Sequence, residues 1–181
     1  MKRVAIALLI LTLEIVMTVT AVASDSLAVG AQAPDFSLPY ATRDSIASES
    51  LTLSREVAKG PILLAFYPAD WSGGCTKEVC TFRDDFANLQ KLGIRIWAIS
   101  GDYVYSHLEW AKHHNLPFEL LTDHDHAVAR LYNSYDAEEL FNKRTIYVVD
   151  SHGKIAFINP KYRAREEADF TALKAALGKI R

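Results

Sequence analysis

Cysteine is scarce: the 181 residues contain only two. Two are too few for a disulfide framework or a four-thiolate zinc site, and no Cys-x-x-Cys pair is present. An excess of one charge sign is also lacking. Lys and Arg number 20 against 22 Asp and Glu, a formal net charge of −2. This argues against a dedicated nucleic-acid binder, whose phosphate contacts need a concentrated basic face. With six prolines and eight glycines there is no collagen-like or low-complexity tract. No internal repeat or linker splits the chain. What is there is globular in proportion, 50% hydrophobic and 23% charged, at a length that suits one domain.

The first two dozen residues stand apart. Lys2 and Arg3 precede an apolar run, Val4 to Leu13, broken only by Thr12. Ala21 and Ala23 place small residues at −3 and −1 before Ser24. This is the layout of a secretory signal, so residues 1–23 are expected to be removed and residues 24–181 to form one exported domain. Glu14 interrupts the apolar stretch. The alternative is an uncleaved anchor from Val4 to Val22, which is the one route to membrane contact. Either reading places the domain where disulfides persist.

Beyond this segment, strands and helices alternate. Residues 30–39 form an extended opening punctuated by Pro34 and Pro39, and the polar stretch from Tyr40 to Ser54 reads as a surface hairpin or loop. Pro61 to Tyr67 is a continuous apolar run, a strand buried on both faces. Pro68 to Gly74 carries turn chemistry. From Thr76 to Leu92, Val79, Phe82, Phe86 and Leu89 recur at helical spacing, with Gly93 as the stop. Further strands are expected at 94–99, 118–121, 145–149 and 154–158, the last two joined by a hairpin turn at 150–153. Further helices are expected at 103–114, 125–132 and 166–179. The pattern is that of an α/β domain with a mixed central β-sheet flanked by helices.

The two cysteines, Cys75 and Cys80, lie five residues apart where loop becomes helix. The first N–H groups of a helix lack internal partners and the helix dipole is positive there, so both favour a thiolate. Gly73 and Gly74 open the backbone to a small substrate, Ser72 offers a hydroxyl to the same spot, and Pro68 can screen it from water. On a helix, residues five apart point in different directions, with Cα atoms more than about 7 Å apart, which makes the pair a poor static staple. It becomes a catalytic pair if the first helical turn unwinds and a sulfenic acid on one sulfur condenses with the other thiol. The bland alternative is two packed cysteines. A metal site would need two further ligands.

Ala33 to Pro39, Phe66-Tyr-Pro68, Gly74-Cys-Thr-Lys-Glu-Val-Cys80, Leu116 to Asp123 and Arg144 to Asp150 occur in an order that resembles the peroxiredoxins. The nearest subgroup is the bacterioferritin-comigratory or Q-type. The resemblance covers about Leu27 to Ile180. It implies a thioredoxin-like fold and thiol peroxidase activity without a metal or cofactor. It matches Cys75 to the peroxidatic cysteine and Cys80 to the resolving one. It matches Pro68 to the shielding proline, Ser72 to the hydroxyl that bonds thiolate and peroxide, and Arg144 to the arginine that stabilises the thiolate and polarises the peroxide. With Ser72 and Arg144, Gly74 would contact substrate. The implied partners are a peroxide and a thioredoxin-like dithiol, with the protein a monomer or weak dimer. Two departures stand out: Gly73 replaces a proline usual in the subgroup, and Trp71 stands where Phe is usual. Two readings compete with the peroxidase: a non-catalytic redox sensor on the same fold, and a structural disulfide domain.

Four other features have bland expectations. His124 and His126 around Asp125 read as a solvated loop with an aspartate helix cap. His113 and His114 read as a helix end. Glu78 reads as a surface carboxylate that could pair with Arg144 or Lys77. Lys161, Arg163 and Arg165 read as a solvated face.

Overall fold

The computed structural model describes residues 27–180, so the segment read as an export signal lies outside the described residues. In chain order the elements begin β1 (Ser37–Leu38), β2 (Tyr40–Ala41), β3 (Leu51–Thr52), α1 (Leu53–Val57), β4 (Ile62–Phe66), α2 (Gly73–Asp84), α3 (Phe86–Lys91) and β5 (Arg95–Ser100). Then come α4 (Val104–His114), β6 (Glu119–Thr122), α5 (Ala127–Leu131), β7 (Tyr135–Asp136), β8 (Phe141–Asn142), β9 (Thr145–Val149), β10 (Ile155–Asn159) and α6 (Glu167–Leu177).

Six strands form the central sheet in the order β10-β9-β4-β5-β6-β2. The β4–β5 and β5–β6 pairs are parallel, and the β4–β9, β9–β10 and β2–β6 pairs are antiparallel. The sheet is therefore mixed, as the strand order in the sequence predicts. All five residues of β4 are buried, because helices cover both faces. Side chains alternate across the pleat. Leu63 and Ala65 face a core with Val79 and Phe82 of α2, Trp110 of α4 and Leu173 of α6. Ile62, Leu64 and Phe66 face the other core, with Leu53 and Val57 of α1 and Val128 of α5.

The expected helix over 76–92 is instead two helices with an earlier start. Ser72 caps α2, which begins at Gly73. The glycines have low helix propensity, which hides this start in the sequence. The break comes at Asp85 (φ −100°, ψ 6°), whose carboxylate accepts from Asn88 Nδ2 at 2.8 Å. Aspartate competes for backbone and side-chain donors in this way, and the apolar spacing continues across the break. The stretch 40–54 is less loop-like than expected. Tyr40–Ala41 closes the sheet edge against Leu120 and Leu121, and Leu53 and Val57 bury one face of α1. The β7–β8 pairing was not anticipated.

Helix ends follow local chemistry. Asn115 takes the left-handed conformation (φ 52°) at the end of α4, and Gly93 does so (φ 74°) after α3. Asp123 receives the N–H groups of Val128 and Ala129 at 3.1 and 2.7 Å, the aspartate cap expected before α5. Among the described residues no helix is long and apolar enough to cross a membrane.

Candidate active site

The site lies where β4 gives way to α2. Phe66 pairs with Thr145 across the β4–β9 ladder, so Arg144, one residue before β9, is carried to the end of β4. The Arg144 carbonyl accepts the backbone N–H of Tyr162 at 3.0 Å, which fixes it from the far side. Pro68 stands half-buried at the turn out of β4. Ser72 is extended (φ −73°, ψ 140°), and its Oγ accepts the N–H of Cys75 at 3.3 Å. Its carbonyl accepts the N–H of Thr76 at 2.9 Å. Ser72 is thus a helix cap, and the cap places Cys75 in the first turn.

Cys75 is fully buried, and Cys80 is half-buried further along α2; both thiols are free. On this helix they are separated by a rise of about 7.5 Å and a rotation of about 140°. A bond between them therefore requires the helix to unwind. Arg144 reaches over the N-terminus of α2. Its Nη2 donates to Cys75 Sγ at 3.4 Å, and its Nη1 donates to Glu78 Oε2. Gly74 lets Arg144 come close, since a Cβ would sit 3.2 Å from its Nη2. A Cβ at Gly73 would meet nothing within 4 Å.

Glu78 overturns its expectation as a surface carboxylate: it is 1% exposed, and its Oε1 has no hydrogen-bond partner. Burial pushes its carboxyl up to about 7, against the pull of Arg144. Burial also works against the charge on Arg144, but Glu78 and Cys75 outweigh it and hold the guanidinium above its ordinary value. One half-buried cation therefore serves a carboxylate and a sulfur at once. The expected pairing of Glu78 with Arg144 is present, and its spacing of three from Cys75 puts both on one helix face.

Gly74, Arg144, Tyr162, Arg163 and Arg165 line a shallow pocket of about 310 Å³ at this point. Arg163 and Arg165, expected on a solvated face, thus border the mouth of the site, with Arg163 held by Asp169 at 2.8 Å. A larger groove of about 800 Å³ between β10 and α6 is lined by neither cysteine. His124 and His126 lie outside the site. His124 Nδ1 is 3.0 Å from the Gly101 carbonyl, and His126 Nδ1 is 2.8 Å from Asn142 Oδ1.

The arrangement provides a shielded sulfur nucleophile, a fixed cation beside it and a second thiol within reach of a local unwinding. Residues 29–158 match the model of the AhpC/TSA family. The putative peroxiredoxin bcp of Coxiella burnetii is 37% identical over 145 residues, covering 76% of this chain and 91% of that protein. The chloroplastic peroxiredoxin Q of Oryza sativa subsp. japonica is 37% identical over 133 residues, or 71% of this chain and a little over half (57%) of the rice protein. Among solved structures, peroxidoxin BcpB of Mycobacterium tuberculosis superposes with a TM-score of 0.73 at 28% identity, covering 84% of this chain and 97% of that one.

Two outcomes are expected of this site. Glu78 is protonated more readily in the folded than in the unfolded chain, where its value is 4.5. Its stabilising contribution is therefore complete below about 4.5 and is lost as pH rises through about 7, on the order of 3 kcal/mol in all. Urea unfolding of the native protein and Glu78→Gln from pH 4.5 to 8 should give curves that diverge with pH in favour of the variant; parallel curves refute the assignment. Gly73 is the first residue of α2 and follows an extended residue, the position where proline fits best. Gly73→Pro should raise stability by about 0.4–1 kcal/mol, read as a higher Tm.

Proposed function

The chain belongs to the AhpC/TSA family and is a peroxiredoxin, a thiol-dependent peroxidase; from this premise we propose the following course for its reaction. Cys75, as thiolate, attacks the terminal oxygen of a hydroperoxide. The O–O bond breaks, the remaining oxygen leaves as water or an alcohol once it gains a proton, and Cys75 becomes a sulfenic acid. The first turn of α2 then unwinds. The Cys80 thiol attacks the Cys75 sulfur, water leaves, and an intramolecular disulfide forms. A thioredoxin-like dithiol reduces that disulfide by exchange and is itself oxidised.

The observation that carries this reading is the 3.4 Å approach of Arg144 Nη2 to Cys75 Sγ at the N-terminus of α2. A guanidinium is always charged and presents donors in a fixed fork, so it stabilises the thiolate and turns the remaining donors to the peroxide. Charge grows on the departing oxygen as the O–O bond breaks. Pre-placed donors, Arg144 with the Ser72 hydroxyl and the free N–H groups at Gly73 and Gly74, favour that state over the ground state. Pro68 screens the sulfur from water. The readings as a sensor or structural disulfide are not favoured. The family match argues against both, and two free thiols on one intact helix argue against the second.

Residues 1–23 we assign to an export signal and 24–181 to one catalytic domain. The basic start, apolar run and Ala-x-Ala site support this assignment, which places the enzyme outside the cytosol. We take the working unit to be a monomer or weak dimer. Intact mass of the protein secreted by an exporting host should begin at Ser24; a full-length mass with membrane association would identify an anchor instead.

The reaction itself is tested by mixing reduced protein with one equivalent of hydrogen peroxide and following thiol loss by stopped flow and intact mass. The native chain should oxidise far faster than a free thiol and end two hydrogens lighter. Cys75→Ser should abolish turnover. Cys80→Ser should keep the first oxidation but block recycling by a dithiol. Oxidation of the native chain at a free-thiol rate would sink the peroxidase reading, and normal recycling of Cys80→Ser would sink the resolving role.

A further inference from the structure

The loop that delivers Ser72 to the helix is tied down by a buried polar network that the reaction above does not use. The Asp70 side chain is fully buried. Its carboxylate accepts from Tyr67 Oη at 2.7 Å, from Ser106 Oγ at 2.7 Å and from His107 Nδ1 at 2.9 Å. Its backbone N–H donates to the Asp102 carboxylate at 2.8 Å, which is held in turn by Ser100 Oγ. Ser106 Oγ also accepts from Trp71 Nε1 at 3.2 Å. His107 has no exposed surface, and its Nε2 faces the Leu121 carbonyl at 3.2 Å. The helix α4 and the sheet strands β5 and β6 thus converge on Asp70 and Trp71, the two residues before the cap.

Two physical facts give this convergence a purpose. A buried polar atom that loses its partner is costly, so the arrangement that satisfies the whole set is strongly favoured for the loop. Trp71 is held at φ 61°, a left-handed conformation that bulky residues rarely adopt. Such strain persists only where surrounding contacts over-determine the backbone. Here the contacts are the Asp70 network on one side and the Ser106 bond to the indole on the other.

We propose that Asp70 and His107 are positioning residues for the peroxidase reaction. They fix the direction in which the chain enters α2 and thereby hold Cys75 against Arg144. The same tie gives the unwinding of α2 a fixed upstream boundary, so that Cys75 moves while Trp71 stays. This rests on the peroxidase reading above. Neither residue touches the sulfur; both act through the loop.

The test uses the full chain and single-turnover oxidation by hydrogen peroxide, with thermal unfolding alongside. His107→Asn keeps an amide nitrogen at the Nδ1 position, facing Asp70, and loses the contact with Leu121. His107→Gln keeps a nitrogen at the Nε2 position, facing Leu121, and loses the contact with Asp70. Each variant loses one buried hydrogen bond, so their Tm values should fall alike. Their rates should part: the Asn variant within about threefold of native and the Gln variant slowed about tenfold or more, since small misplacements of a reacting group are costly. Equal rates for the two variants, slowed or not, would overturn the proposal. Should either fail to fold, Ser106→Ala decides. It removes the bonds to both Asp70 and Trp71 from a half-buried position, so slower oxidation is expected and an unchanged rate overturns the proposal. A native chain that oxidises no faster than a free thiol would instead refute the underlying peroxidase reading.

Discussion

One half-buried guanidinium carries this site. Arg144 donates to Glu78 with one nitrogen and to Cys75 with the other, and Glu78 is almost wholly shut off from water. Removing charges from water is expensive, and an ion pair recovers that cost only when its geometry is good and its remaining donors are used. Here the cation must serve two potential anions. Burial pushes the Glu78 carboxyl up even against the pull of Arg144, so the pair does not fully offset the cost of keeping that charge from water. A protonated Glu78 leaves the charge of Arg144 undivided beside the Cys75 sulfur.

The scaffold holds Arg144 and Cys75 by different means. Arg144 belongs to the rigid part, since the full β4–β9 ladder runs from Ile62↔Val149 to Phe66↔Thr145. Cys75 belongs to a helix start, the least stable part of any helix. The cation therefore stays in place while the nucleophile is free to move. That asymmetry suits a cycle in which the sulfur first meets a peroxide and then a second thiol.

Much of this could be read before the fold was seen. The all-apolar run around Leu63 marked a central strand, because only a strand covered on both faces tolerates such a sequence. The Ser72 hydroxyl beside Cys75 and the spacing of Cys75 and Cys80 were local, so they were legible, whereas the cap itself lay hidden behind two glycines. Arg144 became visible only through family resemblance, because nothing near it in sequence points to a thiol 69 residues away. Glu78 was misplaced for a related reason: burial is a tertiary property, and a carboxylate between Lys77 and Val79 looks like a surface residue until the sheet and Tyr162 close over it. Asp70 and His107, 37 residues apart, carried no local signal either. The break at Asp85 was missed because hydrophobic spacing runs through it unchanged, and a local change of backbone angles leaves no periodic trace.

In the proposed reaction the first turn of α2 has to satisfy two demands that oppose each other. It must be formed for the peroxide step, since the free N–H groups and the cap stabilise charge only in the helical state. It must come apart for the disulfide step. The residues chosen put it near balance. A serine cap contributes about 1 kcal/mol. Each glycine, compared with alanine, withdraws up to about 1 kcal/mol. Gly73 and Gly74 therefore cancel much of what Ser72 supplies, and the turn is held by its contact with Arg144 more than by its own propensity. Oxidation alters that contact directly, because the sulfur ceases to be an anion. In the proposed cycle the chemical change at the sulfur falls on a helix end that two glycines have already weakened, with the proposed Asp70 tie as the fixed boundary behind it.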